Sequence, residues 1–218
     1  MNWVLGNLEL IRDLTLEHLW FALIPVVIGL VLAIPLGWLA NRTRWGRTFT
    51  INVAGLLYTV PSLALFVLLP PLLGTRILDP INVIVALTVY TVALLVRTVA
   101  DALSAVPPII VDSATAMGYT PLRRFLAIEL PLSVPVVLAG LRVAAVSSIS
   151  LVTVGAVIGF GGLGRMFTDG FQRDIPQEII TGIVLVLVIA LVVDGLLLLL
   201  GRALTPWDRV GRMARARA

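Results

Sequence analysis

Five long apolar stretches divide this sequence, and they constrain its fold more than any other feature. They cover about residues 19–40, 51–73, 81–96, 132–158 and 179–200. A helix needs roughly 20 apolar residues to cross the hydrocarbon core of a membrane, and the third stretch is short enough that Arg97 at its end should extend its side chain to the interface. Hydrophobic residues make up 59% of the chain and charged residues 13%, a composition typical of membrane proteins. The sequence therefore predicts an all-α membrane protein with five transmembrane helices.

Prolines interrupt the first two stretches and predict irregular helices there. Pro25 and Pro35 lie in the first stretch, and Pro61 and Pro70 lie in the second. A proline inside a helix removes a backbone hydrogen bond, so these positions should kink or end the helices.

Residues 1–18 space their leucines at near-helical intervals, which predicts a short amphipathic helix on the outer membrane surface.

The residue types that are missing exclude several kinds of chemistry. The chain has no cysteine, no lysine and a single histidine, His18. Disulfides, thiolate metal sites, histidine clusters, Schiff bases and the lysine of a phosphate-binding loop are therefore excluded. We expect no catalytic residue and no metal site in this chain.

The arginines predict the orientation of the chain. With five spans, twelve of the sixteen positive residues fall on one side of the membrane and four on the other. Positive residues favour the cytoplasmic side, so we expect the N-terminus outside and the C-terminus inside. The basic tail, about residues 202–218, should also attract anionic lipid. We interpret the whole chain, residues 1–218, as a single transmembrane domain with one sizeable cytoplasmic loop at about residues 101–131.

That loop has the pattern of two short helices joined by a glycine. A Pro-Pro pair blocks any earlier helix, and good helix formers follow over residues 111–117, with Asp112 in the first turn. Gly118 should stop this helix. Thr120 and Pro121 then fit the N-cap and first position of a second helix, which should end at Pro131. We call residues 108–131 the island.

The surface of the island is suited to a helix-in-groove contact with a partner. Small side chains on the first helix should let another surface approach closely, and they are Ser113, Ala114 and Ala116. Bulky side chains around the glycine should fill a groove, and they are Met117, Tyr119, Leu122 and Phe125. The alternative is an ordinary cytoplasmic loop with helical turns.

The island resembles the signature of ABC-importer permeases. That signature reads Glu-Ala-Ala, three residues, Gly, nine residues, Ile, one residue, Leu-Pro. The chain has Asp112-Ser113-Ala114, then Gly118, Ile128, Leu130 and Pro131 at the same spacing, with Asp and Ser as the two departures. The resemblance implies that the loop sits in a cleft of a separate cytoplasmic ATPase. The residues we assign to this coupling are Asp112, Ser113, Ala114, Met117, Gly118, Tyr119, Ile128, Leu130 and Pro131.

Within that class, the chain resembles the osmoprotectant permeases for glycine betaine, carnitine and choline. The matching stretches are TLEHLWFALIPVVIGLVLAIPLGWLANR, TVPSLALFVLLPPLLG and AMGYTPLRRFLAIELPLSVPVVLAGLRVAAV through IGFGGLG. The resemblance implies a bacterial or archaeal plasma-membrane permease that pairs with a second permease subunit, two ATPase copies and an external binding protein. ATP and Mg would bind the ATPase, and this chain would bind no cofactor and no nucleic acid. Methionine or another small solute is an alternative cargo, and an ion-coupled secondary transporter is an alternative class.

Polar residues inside the spans are candidates for the translocation path. They are Tyr58, Ser62, Tyr90, Ser147, Ser150 and Thr153. The alternative is that these hydroxyls bond to backbone carbonyls or allow close helix packing. Asp194 is either a contact for cargo or an acid near the inner interface that bonds to a neighbouring helix, and we favour the second.

The sequence GFGGLG at residues 159–164 fits GxGxxG, but a dinucleotide site would need a preceding strand and a βαβ unit. Here the motif follows a spanning helix on the outer side. We expect a flexible turn, followed by a short amphipathic segment. By resemblance, this surface is where the binding protein docks. The residues assigned to this outer hinge and docking surface are Gly159, Gly161, Gly162 and Gly164.

Overall fold

The computed structural model describes residues 2–207. Within them the chain forms ten α-helices with one π turn and one 3₁₀ turn, and it forms no β-strand, which confirms the all-α fold class. The helices are α1 (Asn2–Gly6), α2 (Leu8–Ala40), α3 (Arg44–Thr59), α4 (Ser62–Leu73), α5 (Pro80–Ser104), α6 (Pro108–Ala116), α7 (Pro121–Arg124), α8 (Leu130–Gly155), α9 (Arg165–Gln172) and α10 (Pro176–Leu204). The π turn is Phe125–Glu129 and the 3₁₀ turn is Ala156–Ile158. Most of the basic tail, from residue 208, lies outside the described residues, and the predicted lipid contact there stays a prediction.

Four of the five predicted spans are present as single helical segments, and the fifth corresponds to a sharply bent pair of helices. Four helical segments are long and apolar enough to cross a membrane: α2, α5, Pro121–Ile158 and α10. The fifth span is the pair α3 and α4, which meet at an angle of 101°. Val60 and Pro61 form the break, and Pro61 has no amide hydrogen with which to continue α3. Of the prolines predicted to kink or end helices, Pro61 separates two helices, whereas Pro25 and Pro35 lie inside continuous α2.

The first span begins earlier than predicted. Residues 8–18 form the start of α2, in one continuous helix with the membrane span. The predicted separate surface helix was therefore wrong for these residues, and only α1 stands apart. Residues 8–18 contain neither glycine nor proline, so nothing in the backbone ends the helix before Leu19.

The core lies between α2, α5 and α8, and the contact between α2 and α5 is the most extensive in the bundle. Glycines on α2 let the two backbones approach closely. A Cβ atom on Gly29 would lie 2.4 Å from Cγ2 of Thr91, and one on Gly37 would lie 2.7 Å from Cγ1 of Val99. In their most apolar windows, 56% of α5 is buried but only 6% of α10. The bundle is therefore centred on α5, and α10 lies at its periphery.

The island folds nearly as predicted. Gly118 ends α6 with a φ of +84°, and Thr120 is the N-cap residue of α7 with Pro121 at its first turn. Two details of the prediction were wrong. Asp112 lies beyond the first turn because α6 begins at Pro108. The second helix does not end at Pro131, since α7 continues through the π turn into α8, and the wider turn accommodates a proline that cannot donate a hydrogen bond.

Candidate functional site

A charged side chain braces the two helices of the island. Nε of Arg124 lies 2.5 Å from Oε1 of Glu129, across the π turn, and Nη1 of the same guanidinium donates to Oγ1 of Thr115 on α6 at 2.7 Å. Only 12% of the Glu129 side chain is exposed, so water screens this ion pair less than it would a surface pair. Arg124 thus fixes α6, α7 and the start of α8 relative to one another.

Aromatic stacking attaches the island to the C-terminal end of α2. The rings of Phe125 and Trp38 stack with centroids 4.9 Å apart, and the guanidinium of Arg42 lies 4.2 Å from the centre of the Trp38 ring. Near the same end of the bundle, Arg47 on α3 contacts Asp101 on α5 at 2.5 Å. The island is therefore in packed contact with the spanning helix α2.

The predicted coupling residues divide into an exposed and a buried set. The exposed residues are Asp112, Ser113, Met117 and Gly118, and the partly buried ones are Tyr119, Ile128, Leu130 and Pro131. Ala114 is only 1% exposed, so it packs into the protein and is not available for a partner to contact. Its small size is explained by packing inside the chain. The exposed tip of the island is centred on Met117, which is 68% exposed.

Three of the predicted path residues line one narrow crevice among α3, α5 and α8. They are Tyr58, Tyr90 and Ser147, and Thr91, Ser148 and four apolar residues complete the lining. The rings of Tyr58 and Tyr90 meet edge to face, with centroids 6.0 Å apart and planes at 85°. The Tyr90 hydroxyl donates to the carbonyl of Val60, which stands at the break between α3 and α4. Residues 30 positions apart in sequence therefore meet where one span is interrupted.

The other predicted path residues lie outside this crevice. Ser62, Ser150 and Thr153 do not line it. Oγ1 of Thr153 donates to the carbonyl of Ser150 at 2.6 Å, which is the backbone bonding that the sequence left open as an alternative. Ser148 likewise donates to the carbonyl of Ala22 at 2.8 Å and joins α8 to α2.

The glycine loop, residues 159–164, is hydrogen-bonded to two residues of α2 that the sequence did not single out as functional. Oε2 of Glu17 accepts from the amide of Gly162 at 2.9 Å. His18 is fully buried, and its Nδ1 accepts from the amide of Leu163 at 3.3 Å, while Nε2 lies 3.1 Å from the carbonyl of Ile149. Because Nδ1 is the acceptor, His18 is neutral with its proton on Nε2. The contacts join residues 145 positions apart, so spacing in the sequence could not reveal them.

The glycines of this loop are required by close approach. Gly159 and Gly162 have φ angles of +91° and +74°. A Cβ atom on Gly161 would lie 2.2 Å from the Glu17 carboxylate, and one on Gly164 would lie 2.6 Å from the carbonyl oxygen of Thr153. The motif is a fixed turn against α2 in this structure, and its predicted hinge and docking roles remain untested.

Replacing Gly164 with alanine should destabilise the protein by about 1–3 kcal/mol, because the new methyl group meets backbone atoms that cannot rotate away. Thermal unfolding of the purified protein in detergent measures the effect. The matched control is Gly55→Ala, since a Cβ atom on Gly55 meets nothing within 4 Å and alanine favours the helix. Equal unfolding temperatures for the two variants would contradict the close contact.

An ion pair that the sequence did not predict joins α8 to α10. Arg142 donates from Nε to Oδ1 and from Nη2 to Oδ2 of Asp194, both at 2.7 Å. The orientation predicted from the sequence includes Arg142 among the twelve arginines on the cytoplasmic side, but Arg142 lies in the middle of α8, inside a candidate span. Asp194 bonds to a neighbouring helix, as its favoured interpretation requires. A two-point contact of this kind is among the stronger charge interactions in proteins, and it ties the peripheral helix α10 to the core.

The fold and these features define a class, a multi-pass helical membrane permease with the type I ABC importer architecture. The chain belongs to the family described as the binding-protein-dependent transport system inner membrane component, which matches residues 20–206. This bears out the resemblance noted in the sequence.

Two relatives in this family are named as permease proteins for osmoprotectant import and for choline transport. The osmoprotectant import permease protein OsmW of Salmonella typhimurium is 34% identical, over 94% of this chain and 97% of its own length. The choline transport system permease protein OpuBB of Bacillus subtilis is 35% identical, over 88% of this chain and 87% of its own length. A chain of the MetNI methionine ABC transporter in inward-facing form has a TM-score of 0.82 at 23% identity. The match covers 92% of this chain and 98% of the MetNI chain, which supports the fold.

Proposed function

We propose that this chain is the membrane-spanning permease subunit of an ATP-driven importer of glycine betaine or a related quaternary ammonium osmoprotectant. The observation that carries the proposal is the braced island below the spans, in a chain whose relatives are osmoprotectant permeases. The chain performs no chemistry itself, and it binds no cofactor. ATP and Mg belong to a separate ATPase, a dimer in the cytoplasm.

The geometry supports a mechanical role for the island. Its exposed tip around Met117 is available to fill a groove of the ATPase. Closure of the ATPase would displace α6 and α7 together because Arg124 joins them. The π turn continues directly into α8, and stacking on Trp38 reaches α2. Motion of these helices would switch the path between inward and outward access. A second permease subunit would form the other side of the path. The binding protein would dock outside, at the loop that contains Gly159, Gly161, Gly162 and Gly164.

Methionine is the second candidate cargo, because the backbone closely matches that of the MetNI transporter chain. The relatives named for osmoprotectants cover nearly the whole chain at higher identity, which favours a quaternary ammonium cargo.

Uptake by the assembled transporter tests the proposed function. The chain is expressed with its ATPase and binding protein in cells that lack other osmolyte importers, and uptake of labelled glycine betaine, choline and methionine is measured. We expect uptake of a quaternary ammonium compound that requires ATP hydrolysis. Uptake of methionine alone would overturn the cargo assignment, and uptake driven by an ion gradient without the ATPase would overturn the class of transporter.

The proposed orientation, with the N-terminus outside and the island in the cytoplasm, predicts a labelling pattern. The chain has no cysteine, so a single introduced thiol can be located without background. Phe171 is 81% exposed on α9 and Met117 is 68% exposed on the island. A membrane-impermeant maleimide should label Phe171→Cys in intact spheroplasts and Met117→Cys only after the membrane is opened. The reverse pattern would place the island out of reach of cytoplasmic ATP.

A further inference from the structure

The crevice at the break between α3 and α4 combines aromatic rings with hydroxyl groups. Tyr58, Tyr90, Thr91, Ser147 and Ser148 contribute hydroxyl groups to its lining. None of its nine lining residues in the described part of the chain is charged. Tyr90 lies near the middle of α5, so the crevice lies well inside the bundle. A crevice with this lining could hold a cation against its aromatic rings, without a carboxylate to neutralise the charge.

The two tyrosines have different exposures, and only one of them has an evident structural role. Tyr90 is 6% exposed, and its hydroxyl bonds the Val60 carbonyl, where α3 has ended and no helical amide follows to bind that oxygen. This bond fixes the break and also makes the Tyr90 ring richer in electrons, since a phenol that donates a hydrogen bond gains negative character. Tyr58 is 46% exposed although it lies at the end of a membrane helix. Part of the Tyr58 ring is therefore open to a molecule that enters beside α3.

A quaternary ammonium group is the cation that such rings recognise best. It has no hydrogen to donate, so hydroxyls and carbonyls bind it weakly, whereas the negative face of an aromatic ring attracts it directly. A site without a counter-ion also releases its cargo readily, which a transport path requires.

We propose that Tyr58 and Tyr90 contact the quaternary ammonium group of the cargo by cation–π interaction as it passes the break between α3 and α4. This inference rests on the proposed function and deepens it, since it makes the permease itself a selector of cargo. In this structure the crevice is narrow, so passage requires α3 and α4 to move apart from α8. Such a movement would have to break the Tyr90–Val60 hydrogen bond or carry α5 along with α3.

Transport by the complete complex, with ATPase and binding protein in proteoliposomes, tests the inference. The measured quantity is the maximal rate of glycine betaine uptake at saturating loaded binding protein, so that capture outside the membrane does not limit it. Tyr58→Leu should lower this rate about tenfold or more, whereas Tyr58→Phe should lower it by no more than about twofold because the ring remains. Phe49→Leu is the matched control, since Phe49 is an exposed aromatic (55%) on the same helix, outside the crevice.

Fluorination separates electrostatic attraction from packing. Phenylalanine with one, two and three ring fluorines, placed at position 58, keeps the ring size nearly constant while it weakens the negative face. We expect the maximal rate to fall with each fluorine.

The outcomes distinguish this inference from the proposed function. If the wild-type complex imports glycine betaine and the fluorinated series is flat, the cation–π contact is overturned and the importer assignment stands. If the wild-type complex imports no quaternary ammonium compound, both are overturned. A wild-type rate for Tyr58→Leu would likewise exclude Tyr58 from the path.

Discussion

Replacing Asp194 with leucine will destabilise the protein, because it leaves the Arg142 guanidinium without its partner inside a membrane helix. The substitution removes both hydrogen bonds, each 2.7 Å long, that hold the Arg142 guanidinium. The loss should appear as a lower unfolding temperature in detergent and as a lower yield in the membrane. Because α10 packs mainly on α8 and α9, we expect it to detach first, which a fluorescent label pair on α8 and α10 would report.

Two double variants control this prediction. Arg142→Leu with Asp194→Leu removes both charges and should recover most of the stability, because an apolar pair of similar volume has no desolvation cost. Arg142→Asp with Asp194→Arg retains the pair in reverse and should recover part of it. If Asp194→Leu alone unfolds at the wild-type temperature, the pair does not stabilise the bundle.

Replacing Gly118 with proline will abolish transport while the membrane bundle still folds. Gly118 has a φ of +84°, whereas proline holds φ near about −65°. Its amide also donates to the carbonyl of Thr115 at 3.0 Å, and proline has no amide hydrogen. The turn between α6 and α7 cannot form with proline, so the island loses the shape that presents Met117. Uptake, co-purification of the ATPase and unfolding temperature are the three measurements.

Asparagine and valine at position 118 are the matched controls. Asparagine adopts positive φ angles more readily than other side chains, and a Cβ atom on Gly118 meets nothing within 4 Å. Gly118→Asn should therefore retain most of the uptake. Gly118→Val should lose most of it, since β-branched residues strongly disfavour this conformation. Full uptake by Gly118→Pro would contradict the role of the turn in coupling.

The features that the sequence predicted correctly are those encoded by local chemistry. The stop at Gly118 and the start at Thr120 and Pro121 follow from backbone preferences of single residues. The apolar stretches located the four continuous spans and the bent pair of α3 and α4, because crossing a membrane requires a minimum length of apolar helix. Tyr58, Tyr90 and Ser147, which the sequence named for their hydroxyl groups, line one crevice, and their place in a translocation path stays a prediction.

The features that the sequence missed depend on contacts between distant residues. The hydrogen bonds of Glu17 and His18 to the glycine loop join residues 145 positions apart, and the Arg142–Asp194 ion pair joins residues 52 positions apart. The predicted orientation placed Arg142 with the arginines at the ends of spans. The apolar pattern of the sequence gave no sign that Asp194 would be its partner. At Pro131, the local rule predicted a helix end, but the π turn before it allowed the helix to continue. Only the three-dimensional packing decides such cases.

The close contact of α2 with α5 has a consequence for how this domain can open. Two helices whose backbones meet at Gly29 and Gly37 cannot slide past each other without a collision with the side chains of Thr91 and Val99. They must turn as one rigid body. Any gate must therefore form at the margins of that body, and a larger residue at Gly37, which meets Val99 outside the crevice, should change the resting geometry of the domain without contacting the residues that line the crevice.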